Sequence, residues 1–146
     1  PGLETPGGQV PGKWSYDYAI LPQQGDWRQA WPQAYAFETP LRAMETDLHA
    51  GQIAEHGAFI SHSPAEFTIS AVKAAENGLG WIVRGYNLSD QTIQLNLRPM
   101  RRFTDTRQVN LAEEEIAAMD MGDDGGISLP VSGHEVVSIG FFDNHS

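Results

Sequence analysis

The sequence contains no cysteine. That removes disulfides, thiolate nucleophiles and thiolate metal sites together, and it is compatible with a reducing compartment. It has no long apolar run, so no segment is expected to span a membrane. No basic stretch followed by an apolar one opens the chain, so a signal peptide is not expected in these residues. The first residues are Pro1-Gly2 rather than methionine, and the expectation is a fragment of a longer polypeptide. Basic residues are few and none lies beyond Arg107, so the last part of the chain is purely acidic and the net charge is −10. Nucleic acid is not an expected partner, because phosphate backbones need a concentrated basic patch. Arg98, Arg101, Arg102 and Arg107 do cluster, and they are expected to pair with local carboxylates. What is present is ordinary for a globular protein: 146 residues, 40% hydrophobic and 19% charged. A chain of that size makes one domain, or a small domain plus a piece of another, with a real core.

Aromatic residues are unevenly spread. Three of the four tryptophans and three of the four tyrosines lie between Trp14 and Leu41. Trp14, Tyr16, Tyr18 and Ile20 alternate with smaller or polar residues, the period-2 pattern of a strand with one large apolar face. Pro22-Gln23-Gln24-Gly25 breaks that pattern. From Trp27 the apolar residues fall at Trp27, Ala30, Trp31, Ala34 and Phe37, nearer a helical period. Asp26 precedes the segment and Gln29 follows three residues later, which predicts an N-cap with a capping-box partner. Thr39-Pro40 ends it, since the residue before proline is pushed out of the helical region. So much aromatic surface on so short a segment needs something to pack against.

Residues 1–13, rich in proline and glycine, are expected to be an extended lead-in or linker. Leu41–Glu45 carries a weak strand signal, and residues 46–57 read as a loop. From Phe59 the texture is regular. Phe59–Ser63 is a short strand ended by Pro64. Phe67–Val72 and Trp81–Leu88 flank Asn77-Gly78-Leu79-Gly80 as a hairpin. Ile93, Leu95 and Leu97 mark a half-buried strand ended by Pro99, and residues 103–111 continue in that manner. Ala112–Met121 fits a helical turn and a strand end equally. Asp123-Asp124-Gly125-Gly126 is a turn, and strands follow at Ile127–Val131 and Val136–Phe142. Short strands with a turn every ten residues or so predict an all-β fold, an antiparallel β-sandwich with one short helix after the first strand.

Candidate chemistry is sparse. His49, His56, His62, His134 and His145 show no metal-binding spacing. A metal site in the loop holding His49, His56 and His62 stands beside the commoner reading of exposed loop histidines. Asp120, Asp124 and Gly125 match part of a calcium-loop pattern, but Gly122 and Val131 replace two ligands. That leaves weak calcium or a plain hairpin turn. Asp17 and Asp26 are the nominal carboxylate pair of a glycosidase, with Asp26 already engaged as a cap. Trp27, Trp31 and Tyr35 form either a core or domain interface, or a sugar-stacking platform. No GxSxG, P-loop or GxGxxG precedes a helix.

The segment YAILPQQGDWRQAWPQAYAFETPL resembles the YALxPHxGDWxxAxxxxxAxxxNxPL segment of family 38 glycoside hydrolases, the zinc-dependent retaining α-mannosidases. FISHSPAEFTISAVKAAENGLGWIVRGYNLS is similar to the family's C-terminal run, with Ser70, Ala71-Val72-Lys73, Ala75-Glu76, Ile82, Arg84 and Tyr86 in place. HEVVSIGFF resembles the family's last strand. The resemblance runs in order over most of residues 14–142. It implies that residues 14–50 end a large β-supersandwich domain and that residues 58–143 form the small C-terminal β-sandwich. It further implies that zinc, nucleophile and acid lie in an upstream catalytic domain, with no catalytic residue, metal or cofactor in this chain. The implied role is to pack on and support the domain that hydrolyses α-mannosides, in a cytoplasmic enzyme of the bacterial type. An independent carbohydrate-binding module is the alternative. The expected partners are the upstream domains of the same polypeptide, with an α-mannoside contact and a homo-oligomer left open, and neither nucleic acid nor membrane. The loop Gln23–Arg28, through Gln23, Asp26, Trp27 and Arg28, is the expected substrate rim, since sites favour loops held by a scaffold. Gln23 replaces a family histidine and Glu38 a family asparagine, so roles tied to those two do not carry over.

Overall fold

The computed structural model describes Gly8, residues 10–51 and residues 53–143. It divides into two compact units, Pro1–Leu48 and His49–Ser146.

In the first unit a 3-10 turn, Trp27–Gln29, leads into helix α1, Trp31–Glu38. Gly25, at φ 99°, supplies the left-handed residue that a tight loop needs before the turn. The Arg28 amide N–H donates to Asp26 Oδ1 at 2.9 Å, so Asp26 is a cap as expected. It caps the 3-10 turn, however, and α1 itself starts at Ala30 with no side-chain cap and Pro32 in its first turn. Proline suits that position because the missing N–H would be unpaired there anyway. Thr39 closes the helix, its N–H and its hydroxyl both donating to Tyr35 O at 3.0 and 2.7 Å. The strands expected at Trp14–Ile20 and Leu41–Glu45 are not formed: residues 14–21 and 41–45 carry no regular secondary structure. Alternation alone does not make a strand, because backbone N–H and C=O groups need a ladder to pair with.

The second unit is a sandwich of two antiparallel sheets. Its strands are β1 Ile60–Ser63, β2 Phe67–Ala74, β3 Gly80–Asn87, β4 Ile93–Pro99, β5 Asp105–Val109, β6 Glu115–Ala118, β7 Ile127–Val131 and β8 Val136–Phe142. The three-stranded sheet has the order β1-β4-β7, and the five-stranded sheet β2-β3-β8-β5-β6. The alternating Leu95 and Leu97 of β4 and Ile127, Leu129 and Val131 of β7 point to one buried face, which meets Phe67, Val83, Val137, Ile139 and Phe141 of the other sheet. Phe103, before β5, packs between Trp81 and Phe141 with ring centroids 5.4 and 5.5 Å away. Each such side chain contributes about 1.5–3 kcal/mol by leaving water. On the outer face of the five-stranded sheet Ile82 of β3 and Ser138 and Gly140 of β8 are also buried, while Arg84 and Tyr86 of β3 are half-buried. Ile82, Val109 and Ala75 form a second, smaller cluster with Phe142 on the outer side of the five-stranded sheet.

Two expectations for the acidic segment are settled. The stretch left open between helical turn and strand end is strand β6, paired with β5 through Arg107–Ala118 and Gln108–Ala117. Its alanines and glutamates favour helix, but sheet pairing overrides propensity here. Gly122–Gly126 is a turn, with Gly122 N–H donating to Gly126 O at 2.8 Å. It is not a hairpin turn, because β6 and β7 belong to different sheets and the segment carries the chain across the sandwich.

Candidate functional site

The expected rim loop is well placed to be contacted but is engaged with itself. Gln23 is exposed and lies outside any element, and Trp27 is 54% exposed. Asp26 Oδ2 accepts from Arg28 Nη1 at 3.2 Å in addition to its capping bond, and the Arg28 guanidinium lies 5.7 Å from the Trp27 ring centre. Asp26 is therefore held by its own turn rather than presented as an acid or base. Trp27 and Trp31 meet edge to face at 83°, and Trp31 and Tyr35 are tilted by 38°. A pyranose stacks on a flat ring face, so this row offers separate faces and not one continuous platform. Glu38 is the last residue of α1 and is exposed.

Three of the four clustered arginines meet a carboxylate. Arg107 reaches Asp105 at 2.7 Å and Glu115 at 3.0 Å, Arg98 lies 3.8 Å from Asp124, and Arg101 pairs with Asp143 while stacking 4.2 Å over Phe103. This is the expected pairing with local carboxylates for those three; among the described residues Arg102 has no such ion pair.

The histidines are scattered. His49 Nδ1 contacts Ala50 O at 3.1 Å, His62 lies edge-on to Phe67, and His134 is 3.0 Å from Asp90. His145 lies outside the described residues. Asp124 spends one oxygen on the Gly126 N–H at 3.0 Å, locking the turn that resembled a calcium loop. Among the described residues no three His, Cys, Asp or Glu side chains converge as a metal ligand set. The described residues therefore do not fit a zinc centre of their own. No described helix is long and apolar enough to cross a membrane.

Two surface hollows were not anticipated. One, of 610 Å³, lies over the three-stranded sheet beside the turn before β7 and is lined by the polar Ser61, Ser63, Asn96, Arg98, Asp124 and Ser128 and also by the apolar Met121, Leu97 and Ile127. The register sets Ser63, Asn96 and Ser128 side by side across β1, β4 and β7, and Ser61 beside Arg98. Gln94 Nε2 donates to Ser128 Oγ, which donates to Asn96 Oδ1, both at 2.9 Å. The signal was present as the polar half of each alternating strand, but pairing across residues 61–128 is not written in the spacing. The other hollow, of 550 Å³, is apolar and runs along β2 past Phe59, Ile60, Ile69, Val72 and Trp81.

On the five-stranded sheet the loop between β5 and β6 folds back toward β2. The Glu113 side chain, 9% exposed, is 2.6 Å from Lys73 Nζ and accepts from the Glu76 amide N–H at 2.7 Å. That donor and the Lys73 ammonium hold its carboxyl below the usual carboxylate range, while Glu113 raises Lys73.

Comparison with protein-family models gives a match. Residues 66–139 fit the model of the glycosyl hydrolases family 38 C-terminal beta sandwich domain. No curated protein and no solved structure matches the chain.

Proposed function

Given that the chain belongs to the glycosyl hydrolases family 38 C-terminal beta sandwich domains, we propose that it is the non-catalytic end of an α-mannosidase-like enzyme. Its role is to pack on the upstream catalytic domain and steady it. The observation that supports this reading is the first unit's missing core. None of its described residues is buried, yet Tyr16, Tyr18 and Ile20 are 81, 85 and 84% exposed and Leu41 and Leu48 fully so. Apolar surface on that scale marks an interaction face. Residues 14–50 supply this face to the end of a large β-supersandwich, and the sandwich from residue 58 follows it. Support matters for rate because small displacements of a catalytic site are costly.

In this proposal zinc and the catalytic carboxylates belong to the upstream domain, and the enzyme works in the cytoplasm on α-mannosides. The Gln23–Arg28 loop reaches the substrate rim, where Arg28 would exchange its bond to Asp26 for sugar hydroxyls. The test is made on the full-length enzyme and a version ending before Trp14. The full-length form is expected to hydrolyse an aryl α-mannoside in the presence of zinc, and the shortened form to lose activity or heat stability. An equally active and equally stable shortened enzyme overturns the proposal.

A further inference from the structure

We propose that the outward face of the three-stranded sheet is a binding site for a neutral polyhydroxylated ligand, a short saccharide. Its volume of 610 Å³ falls in the range that small ligands occupy. The floor is a straight polar row, Ser63–Asn96–Ser128, flanked by Ser61 and Arg98. Neighbouring strands about 4.8 Å apart place these groups at intervals comparable with the width of a sugar ring.

The hydrogen-bonding capacity is both ordered and unspent. Ser128 is fixed between Gln94 and Asn96 through its own hydroxyl and the Asn96 carbonyl oxygen. That leaves the Asn96 amide N–H groups without a protein acceptor among the described residues. Ser61 donates to Arg98 O at 3.3 Å and keeps its lone pairs. Arg98 is 57% exposed and only loosely held by Asp124 at 3.8 Å. Donors from Asn96 and Arg98 and acceptors from Ser61 and Asp124 together match a hydroxyl, which both donates and accepts.

Other occupants fit less well. Asp120 and Asp124 in the lining oppose an anion. The described residues offer no metal ligand set. Met121, Leu97 and Ile127 give the lining an apolar share, which suits the C–H face of a sugar. A wholly apolar peptide would instead bury the Ser63–Asn96–Ser128 row without partners, at a cost in free energy for each group left unpaired. His62 is the only aromatic ring in the lining, so little stacking is available and affinity is expected to be about millimolar.

The choice of a mannoside as probe rests on the proposed role in an α-mannosidase, and a second sugar separates the two ideas. The ¹⁵N-labelled full chain is titrated with mannobiose, with a glucose disaccharide and with inorganic phosphate, following each backbone amide by NMR. Saturable shifts at Ser61, Ser63, Asn96, Arg98 and Ser128 with mannobiose are expected. Asn96→Ala and Arg98→Ala should each weaken binding at least fivefold while the remaining spectrum stays dispersed, and Ser128→Ala provides a third variant if either fails to fold. Binding of the glucose disaccharide alone supports the site and counts against the mannoside assignment. No saturable shift with either sugar, shifts confined to Trp27 and Arg28, or a response to phosphate alone overturns the proposal.

Discussion

Glu113 sits at φ 64°, in the left-handed region that a non-glycine residue enters at a cost of about 1 kcal/mol or more. The cost is offset by its bonds to Lys73 and to the Glu76 N–H, which tie the loop before β6 to the end of β2. Glu113→Gln should lower stability by about 1–2 kcal/mol at neutral pH, measured by urea denaturation. Because folding depresses the Glu113 pKa, its contribution is present above the unfolded pKa and fades as pH falls through the lower folded one. The gap between wild type and variant should therefore close below the usual carboxylate range, and a gap that stays constant into acid sinks the assignment. Asn87, 1% exposed, has a comparable role at the other end of the sandwich. Its Nδ2 donates to the carbonyls of Gln91, Val131 and Ser132, and its Oδ1 accepts from the N–H and hydroxyl of Ser89. Neither residue stood out in the sequence. Their partners lie up to 45 positions away, and nothing in local spacing announces them. Asp26 was legible as a cap because capping is local, its bond reaching only two residues ahead.

Two segments share one pattern and differ in outcome. Leu95 and Leu97 alternate in β4, and Tyr16 and Tyr18 alternate in the first unit. The former are 0 and 1% exposed and the latter 81 and 85%. Periodicity reports which face of a segment is apolar, and it says nothing of whether a neighbouring ladder is supplied. That is why the sandwich strands were legible nearly to their ends while the strand at 14–20 was not formed. Substitution should separate the cases in the chain as it stands. Leu95→Ala removes a fully buried side chain and should cost about 2–5 kcal/mol. Tyr18→Ser should change the denaturation midpoint scarcely at all. A large loss from Tyr18→Ser would mean that the segment already has a packing partner. The acidic stretch at 112–121 was ambiguous for a related reason: alanine and glutamate favour helix locally, and only the presence of β5 beside it decides for strand.

The two units differ in kind. His49–Ser146 has its own core and both sheets, whereas Pro1–Leu48 has no buried described residue. Residues 49–146 expressed alone should fold cooperatively, with a thermal midpoint by circular dichroism within a few degrees of the whole chain. Loss of the cooperative transition would show that the sandwich borrows stability from residues before it. Fold class was readable at this scale because eight short strands punctuated by turns leave few architectures. The hollow over the three-stranded sheet was not, because its floor is assembled from three strands that are distant in sequence. The order of strands in the larger sheet also bears on biosynthesis. β8, the final strand of the sandwich, lies in the interior of that sheet, hydrogen-bonded to β3 on one side and β5 on the other. A ribosome delivering the chain from its N-terminus releases β3 and β5 long before the strand that joins them. Until β8 emerges, the edges of β3 and β5 that it pairs with stand open, a state prone to aggregation. The nascent sandwich therefore cannot complete its larger sheet until its last strand has been made.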